Sequence, residues 1–408
     1  MRRASVSTFL FAASIAFFSL SAFSVRAAAC AYFLIGALAF LKMPTLLARQ
    51  IGLAPVLAYW ATILCLSFIQ SAFGDFYPNY FIKFIFIQTY IALIFWMFRS
   101  KILTLGSLTR ACEILIYVHA AFFIFQLTYY LLTGHFIDFD SYVREGSAEA
   151  LYETKTLSDS LIPIRALGLF SEPSFYAMTV VPPGIVLLLA KRQLTFATCL
   201  AFFTALLSFS VAAIIVCAML CIVHLFLGRV SVRLKIATIL VAVLCTPPLY
   251  TVYDRRVNQS EDYNAVASRT LVFNELAVRD SVSGMFGNGL FWDERNNVGK
   301  THLRGYEVRD SSFYVYMIFS AGAVGATVFF GSLLALFNGH GRRRYLLYLL
   351  PILLFKYHFL HGMLWLTLLL FLIVSREIPM GRHPGRRKRF YLGSLGSLGS
   401  LAQVRSRQ

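Results

Sequence analysis

Residues 172–192 read EPSFYAMTVVPPGIVLLLAKR. A carboxylate and a proline open the stretch, and no charge follows until Lys191-Arg192. As a helix, the uncharged run crosses about 27 Å, close to the roughly 30 Å hydrocarbon layer of a bilayer. Pro173 suits the first turn, where its missing N–H would have found no partner. Glu172 then sits at the positive end of the helix dipole, which by itself is reason enough for an acid there. Acid at one end, apolar body and bases at the other predict a span whose ends lie in different compartments.

The same module recurs on both sides. Apolar runs predict spans at about 5–25, 27–41, 51–73, 80–98, 111–133, 173–190, 194–208, 210–228, 235–252, 312–337, 345–358 and 361–375. Two of these regions, 194–228 and 345–375, read equally as two short helices or as one long helix with a re-entrant piece. With 58% hydrophobic and 14% charged residues the chain belongs to the bilayer class, because no soluble core could bury so many such runs. The expected fold is therefore all-α: a polytopic membrane bundle of about 12 transmembrane helices. It occupies residues 1–378, and a basic tail at 379–408 with a Gly-Ser-Leu repeat is expected to be cytoplasmic and disordered.

The formal charge of +18 needs no nucleic acid to explain it. Lys and Arg gather in short clusters between spans: Arg2-Arg3, Lys42/Arg49, Arg99/Lys101/Arg110, Lys191-Arg192, Arg229/Arg233/Lys235, Arg342-Arg343-Arg344 and the tail. Among the 19 acids only Glu113 and Glu377 lie in those segments; the others sit in the alternate loops. Such segregation follows the positive-inside rule, with the basic side facing cytoplasm and anionic headgroups. An even span count puts both termini there. Arg26 interrupts any signal-cleavage region after the first run, so that run reads as a retained span. The seven cysteines fall in or beside apolar runs, Cys217 and Cys221 included, which argues for packing rather than a disulfide framework.

Two extracytoplasmic loops, at about 134–172 and 253–311, carry the candidate chemistry. In the first, Arg165 lies seven residues before Glu172, close enough to reach the same membrane-surface pocket. A guanidinium grips phosphate oxygens with paired hydrogen bonds, and a neighbouring carboxylate can take a proton from a sugar hydroxyl. Asp138-Phe-Asp140 has the spacing of a metal-holding pair, although two aspartates in an acidic loop arise readily by chance. The second loop offers Arg255, Arg256, Arg269, Arg279, Arg295, Arg304 and Arg309 with His302 and Asp310. Singly, each arginine reads as a solvated or ion-paired residue; as a set facing a membrane they suggest anion binding. Ser268–Val282 predicts a short amphipathic helix ending at Gly284, and Gly287-Asn288-Gly289 a turn. His358 and His361 are a possible metal pair but more ordinarily bundle packing. Lys83, Lys356 and His119 are ionisable groups inside apolar runs, which are functional candidates by default.

In order along the chain, Arg165-x-x-Gly168-x-x-x-Glu172-Pro173-Ser174, Ser268-Arg269, Gly287-x-Gly289 and Asp310-Ser-Ser with a downstream Gly322-x-x-Gly325 resemble the bacterial O-antigen and exopolysaccharide polymerase (Wzy-type) and O-antigen ligase superfamily. The likeness covers most of the chain as topology but only about 165–180 and 265–325 as motif. Where the family often has Ser-Arg-Gly-Gly, this chain has Ser210-Val-Ala-Ala. The resemblance implies a C-type glycosyltransferase of the bacterial inner membrane. It would join repeat units carried on undecaprenyl pyrophosphate at the outer face, without a cofactor or metal. Its implied partners are the lipid-linked oligosaccharide, the lipid bilayer, a chain-length regulator and other polysaccharide-assembly proteins. On the motif positions Glu172 and Arg165 would be catalytic and Arg269 and Asp310 would bind substrate; the second loop's own charges add His302 as an alternative proton acceptor, hence catalytic, and Arg279 as a further substrate-binding cation. An O-antigen ligase transferring a finished glycan to lipid A core, or a transporter without catalysis, are the alternatives.

Overall fold

The computed structural model describes residues 6–48, 54, 57, 58, 60, 61, 64, 65, 68, 76–144, 165–228, 265–293, 297–299, 303–339 and 341–378. Helices dominate. α1 (Val6–Ser19), α2 (Val25–Leu41) and α3 (Met43–Ala48) precede α4 (Pro78–Arg99) and α5 (Leu105–Thr133). After the short α6 (Asp140–Val143) come α7 (Pro173–Lys191), α8 (Phe196–Leu207) and α9 (Val211–Leu227). α10 (Ala265–Ala277), α11 (Ser281–Phe286), a two-residue hairpin of β1 (Asn297–Val298) with β2 (Leu303–Arg304), and α12 (Gly305–Arg309) make up the second loop region. α13 (Phe313–Leu336), α14 (Arg343–Ile352) and α15 (Gly362–Glu377) close the bundle.

Among the described residues four helices, α4, α5, α7 and α13, are long and apolar enough to cross a membrane, and α1, α2, α8 and α9 are shorter apolar helices. The predicted span at 51–73 keeps eight described positions, all helical, and the one at 235–252 lies outside the described residues. The two ambiguous regions both resolve into helix pairs. Three residues, Ser208–Ser210, separate α8 from α9, with Phe209 in the left-handed region at φ 50°.

α14 and α15 are separated by the irregular stretch 353–361. Non-helical backbone at membrane depth survives only where protein covers it, and Leu353, Phe355, Tyr357, Phe359 and Leu360 are all buried. The stretch is tied down: Phe313 N donates to Phe355 O (3.1 Å) and Tyr357 Oη to Met178 O (3.0 Å).

α7 is the axis. It is buried on nearly every side and packs on α5, α8, α9, α14 and α15. An apolar helix without a polar face belongs in a bundle interior. In lipid, tails are as apolar as Leu, so helices adhere through close van der Waals packing and a few buried hydrogen bonds. The bonds are present. Ser14 Oγ joins Ala31 O (2.8 Å) and Tyr90 Oη (2.7 Å), tying α1 to α2 and α4. His119 Nε2 meets Ser19 Oγ at 2.8 Å, so this intramembrane histidine is a packing group between α5 and α1. Tyr176 Oη donates to Thr204 Oγ1 (2.7 Å) between α7 and α8.

Charge sorts the two ends. At one, Arg376 is an electrostatic neighbour of Arg99 and Arg342, and Glu113 pairs with Arg110 (3.1 Å) and Lys191. At the other lie Glu172, Asp140 and Asp310, the last of these at the entry to α13. The predicted amphipathic helix is corrected in its bounds. It begins at Ala265 and stops at Ala277; Asp280 then caps a new helix, its carboxylate accepting from Ser283 N at 3.2 Å, so Gly284 lies inside α11 and the end falls at Gly287.

Candidate functional site

Ala166–Phe170 is buried and non-helical, and its course is set from α5. Gln126, wholly buried, accepts from Leu167 N (2.6 Å) and Gly168 N (3.0 Å) through Oε1 and donates Nε2 to Ile137 O (2.7 Å). Gly168, at φ +60°, makes the turn that follows. This brace carries Arg165, itself buried, and delivers Glu172 to the start of α7. The spacing from Arg165 to Glu172 is thus the length of a pinned turn.

Glu172 is the N-cap residue, yet its side chain makes no cap hydrogen bond. Its Oε2 accepts instead from Ser174 Oγ (3.1 Å) and from Lys356 Nζ (2.6 Å). Lys356 also reaches Asp310 Oδ1 at 3.1 Å. The result is a carboxylate–ammonium–carboxylate row joining the start of α7, the entry to α13 and the buried connection between α14 and α15. Burial pushes the Glu172 carboxyl upward, but the Lys356 ammonium, the Ser174 hydroxyl and the Arg165 guanidinium outweigh it and hold it below the usual carboxylate range. Glu172 is therefore an anion at neutral pH.

Around the row stand aromatic rings and imidazoles. Lys356 Nζ lies 5.6 Å from the centre of the Phe175 ring. The far partner of Phe175 is His361, stacked at 5.9 Å with 4° between planes, and His358 meets His361 edge-on at 5.6 Å. Among the described residues no group of three or more His, Cys, Asp or Glu is placed to hold a metal ion. Asp140 pairs with Arg144 at 2.6 Å. Beside Asp310, Arg309 lies over Tyr80 (4.9 Å) and Trp292 (5.1 Å).

A cavity of about 210 Å³ opens beside the row, lined by Asp310, Ser311, Ser312 and Lys356 with Val211, Ala212, Ile215, Phe273, Val315 and Leu354. The structure thus brings together three of the sequence candidates, Arg165, Glu172 and Asp310. Arg279 is engaged elsewhere: Nη1 donates to Phe319 O (3.1 Å) and the guanidinium lies 4.1 Å over the Phe319 ring, pinning α10–α11 to α13. The Arg269 side chain and all of His302 lie outside the described residues.

Gly287 and Gly322, one from each glycine motif, serve one packing contact. Gly322, at φ 64° and ψ −172°, interrupts α13, and a Cβ there would fall 2.3 Å from Met285 O. A Cβ on Gly287 would meet Ser320 O at 2.3 Å.

Two members of the site have no role in the sequence reading, although Lys356 is among its intramembrane candidates. Lys356 carried a signal, as an ionisable group within an apolar run; its partners, 184 and 46 residues away, carried none. Gln126, a polar residue deep in the 111–133 run, was the other. Comparison with protein-family models, with curated proteins and with solved structures returned no match in any of the three.

Proposed function

We propose that this chain is a polysaccharide repeat-unit polymerase, a glycosyltransferase whose donor is a glycan on polyprenyl pyrophosphate. The observation that carries the reading is the row Glu172–Lys356–Asp310, with Arg165 beside it, at the end of the bundle away from the Arg99/Arg342/Arg376 cluster. A donor of this kind is held by its lipid in the bilayer and offers its sugar at the interface. A polar site at one end of a membrane bundle meets both halves of it.

In this reading an acceptor hydroxyl oxygen attacks the anomeric carbon, the carbon–oxygen bond to the pyrophosphate breaks, and the lipid pyrophosphate leaves with the electron pair. Arg165 neutralises charge that develops on the leaving group. Glu172, held ionised by Lys356, is a weak base, and its better-supported role is to orient Arg165 and Lys356. The hydroxyl proton passes to His302 or Glu172. Arg269 is a further cation for the diphosphate, whereas the engagement of Arg279 with Phe319 favours a positioning role. Holding two lipid-anchored reactants in one cleft supplies acceleration by proximity. The bilayer, the lipid-linked oligosaccharide, a chain-length regulator and other assembly proteins are the proposed partners, and the bacterial inner membrane the proposed site. An O-antigen ligase would use the same leaving-group chemistry on a lipid A core acceptor.

The test is direct. Purified protein incubated with a defined polyprenyl-pyrophosphate oligosaccharide should give a ladder of products. Arg165→Ala, shown to be folded, should lose it by a hundredfold or more, on the scale of roughly 10²–10³ for one transition-state donor. An undiminished ladder from Arg165→Ala removes that residue from the scheme. Transport is the second reading, favoured by the break at Gly322 and the buried non-helical connection at 353–361, features of transporter sites. Substrate flux in proteoliposomes without any new glycosidic bond would decide for it.

A further inference from the structure

The cavity beside the row has walls of two kinds. Asp310, Lys356, Ser311 and Ser312 contribute one carboxylate, one ammonium and two hydroxyls, that of Ser311 donating to Val308 O (2.5 Å) and so left as an acceptor, and the other six lining residues, Phe273 among them, are apolar. Its formal charge is balanced, and Lys356 is already shared between Asp310 Oδ1 (3.1 Å) and Glu172 Oε2 (2.6 Å). An ammonium between two carboxylates offers little net field to a multiply charged anion, and the carboxylates repel one. A neutral hydroxyl group is the better match. It donates to a carboxylate and accepts from an ammonium at once, and Lys356 has three N–H donors for the two carboxylates it contacts. The C–H face of a sugar ring is apolar and suits Val211, Ile215 and the Phe273 ring. Leaving a hydroxyl-binding site empty of its partner is expensive for an analogue that lacks the hydroxyl, so such a site is selective.

We infer that the Asp310–Lys356 cavity is a subsite for a neutral sugar residue, reading its hydroxyls through Asp310, Lys356, Ser311 and Ser312, and that it excludes the diphosphate. This deepens the polymerase reading and rests on it for the glycan's role as reactant; the binding itself does not. It places the diphosphate on the Arg165 side of Glu172 and the saccharide on the Lys356–Asp310 side.

The experiment uses the full chain in lipid nanodiscs free of sugar detergents. Saturation-transfer NMR is run with neutral mono- and disaccharides (glucose, galactose, mannose, rhamnose and their simple dimers) and with inorganic pyrophosphate. At least one saccharide should bind, and excess pyrophosphate should leave it in place. Asp310→Asn should weaken it roughly tenfold, the scale of one charge-assisted hydrogen bond. Ala212→Phe, which fills the cavity, should abolish binding; Phe273→Ala, at an exposed position, should weaken it without threatening the fold. Absence of any saccharide signal, binding indifferent to both Ala212→Phe and Phe273→Ala, or displacement by pyrophosphate would each overturn the assignment. The two proposals fail separately. Saccharide binding with no product ladder removes the polymerase and keeps the subsite. A ladder whose KM for the lipid-linked oligosaccharide ignores Asp310→Asn and Phe273→Ala does the reverse.

Discussion

At the scale of single residues, Lys356 is the member of the row with no substitute. Its side chain is 16% exposed, and those of Glu172 and Asp310 are 26% and 20% exposed. Replacing the lysine by an apolar residue leaves two carboxylates facing each other. Breaking a fully buried pair costs about 3–5 kcal/mol; with this much residual exposure, roughly 1–3 kcal/mol is the expected loss for Lys356→Met. Glu172→Gln should cost less, since Lys356 keeps Asp310. Thermal unfolding in detergent should rank wild type above Glu172→Gln and Glu172→Gln above Lys356→Met, and a Lys356→Met protein as stable as wild type would refute the pairing. Acid supplies a second check. Because the native Glu172 carboxyl lies below its ordinary value, its stabilisation is present above the ordinary carboxylate range and is lost as pH falls through the lowered native value. The difference in melting temperature between wild type and Glu172→Gln should therefore shrink as pH drops from 7 to below about 4. A difference that grows in acid would mean that burial, not Lys356, governs the group.

At the scale of elements, the contact between α11 and the break in α13 is made by two glycines that have no room for a side chain. Gly322→Ala meets both a positive-φ extended backbone that only glycine adopts readily, unfavourable by about 1–3 kcal/mol, and a Cβ placed 2.3 Å from Met285 O. It should detach α11 and raise hydrogen exchange over Ser281–Phe286. Gly331, in the same helix with nothing within 4 Å of a would-be Cβ, is the control: Gly331→Ala should be neutral or gain up to about 1 kcal/mol in helix propensity. Equal effects at the two positions would show that the break in α13 is not a packing device. Sequence periodicity foretold the helices well, because a long apolar run is a local property: α5, predicted from 111 to 133, ends at Thr133, and α7, predicted over 173–190, runs Pro173–Lys191. The buried connection at 353–361 was only half legible. Its apolar residues read as continuing helix, and the tertiary bonds from Phe313 and Tyr357 that hold it open are invisible in a linear pattern. For the same reason Arg165 and Glu172, seven residues apart, could be paired from sequence, whereas Lys356 could not be assigned to them.

At the scale of the whole molecule, the sorted charge makes a claim about compartments. α7 carries Glu172 at its start and Lys191 at its end, and α5 runs from the Arg110–Glu113 pair to the Gln126 brace beneath residues 137 and 167. Everything proposed for the row requires the Glu172 end to face away from the basic end across a bilayer. Two exposed positions report on the ends: Tyr142, 82% exposed in α6, and Leu194, 65% exposed just past Lys191. In a background with the seven native cysteines replaced, Tyr142→Cys and Leu194→Cys should react with a membrane-impermeant maleimide from opposite sides of sealed, oriented vesicles. The positive-inside rule further places Leu194→Cys with the cytoplasmic face, since Lys191, Arg192 and the Arg99/Arg342/Arg376 group share its end. Reversed labelling would keep the two-ended bundle and move the row to the cytoplasm, where a lipid-linked donor presented at the outer face could not reach it. Labelling of both cysteines from one side would mean that α7 does not cross, and the separation of acid from base would then be a surface pattern rather than a membrane topology.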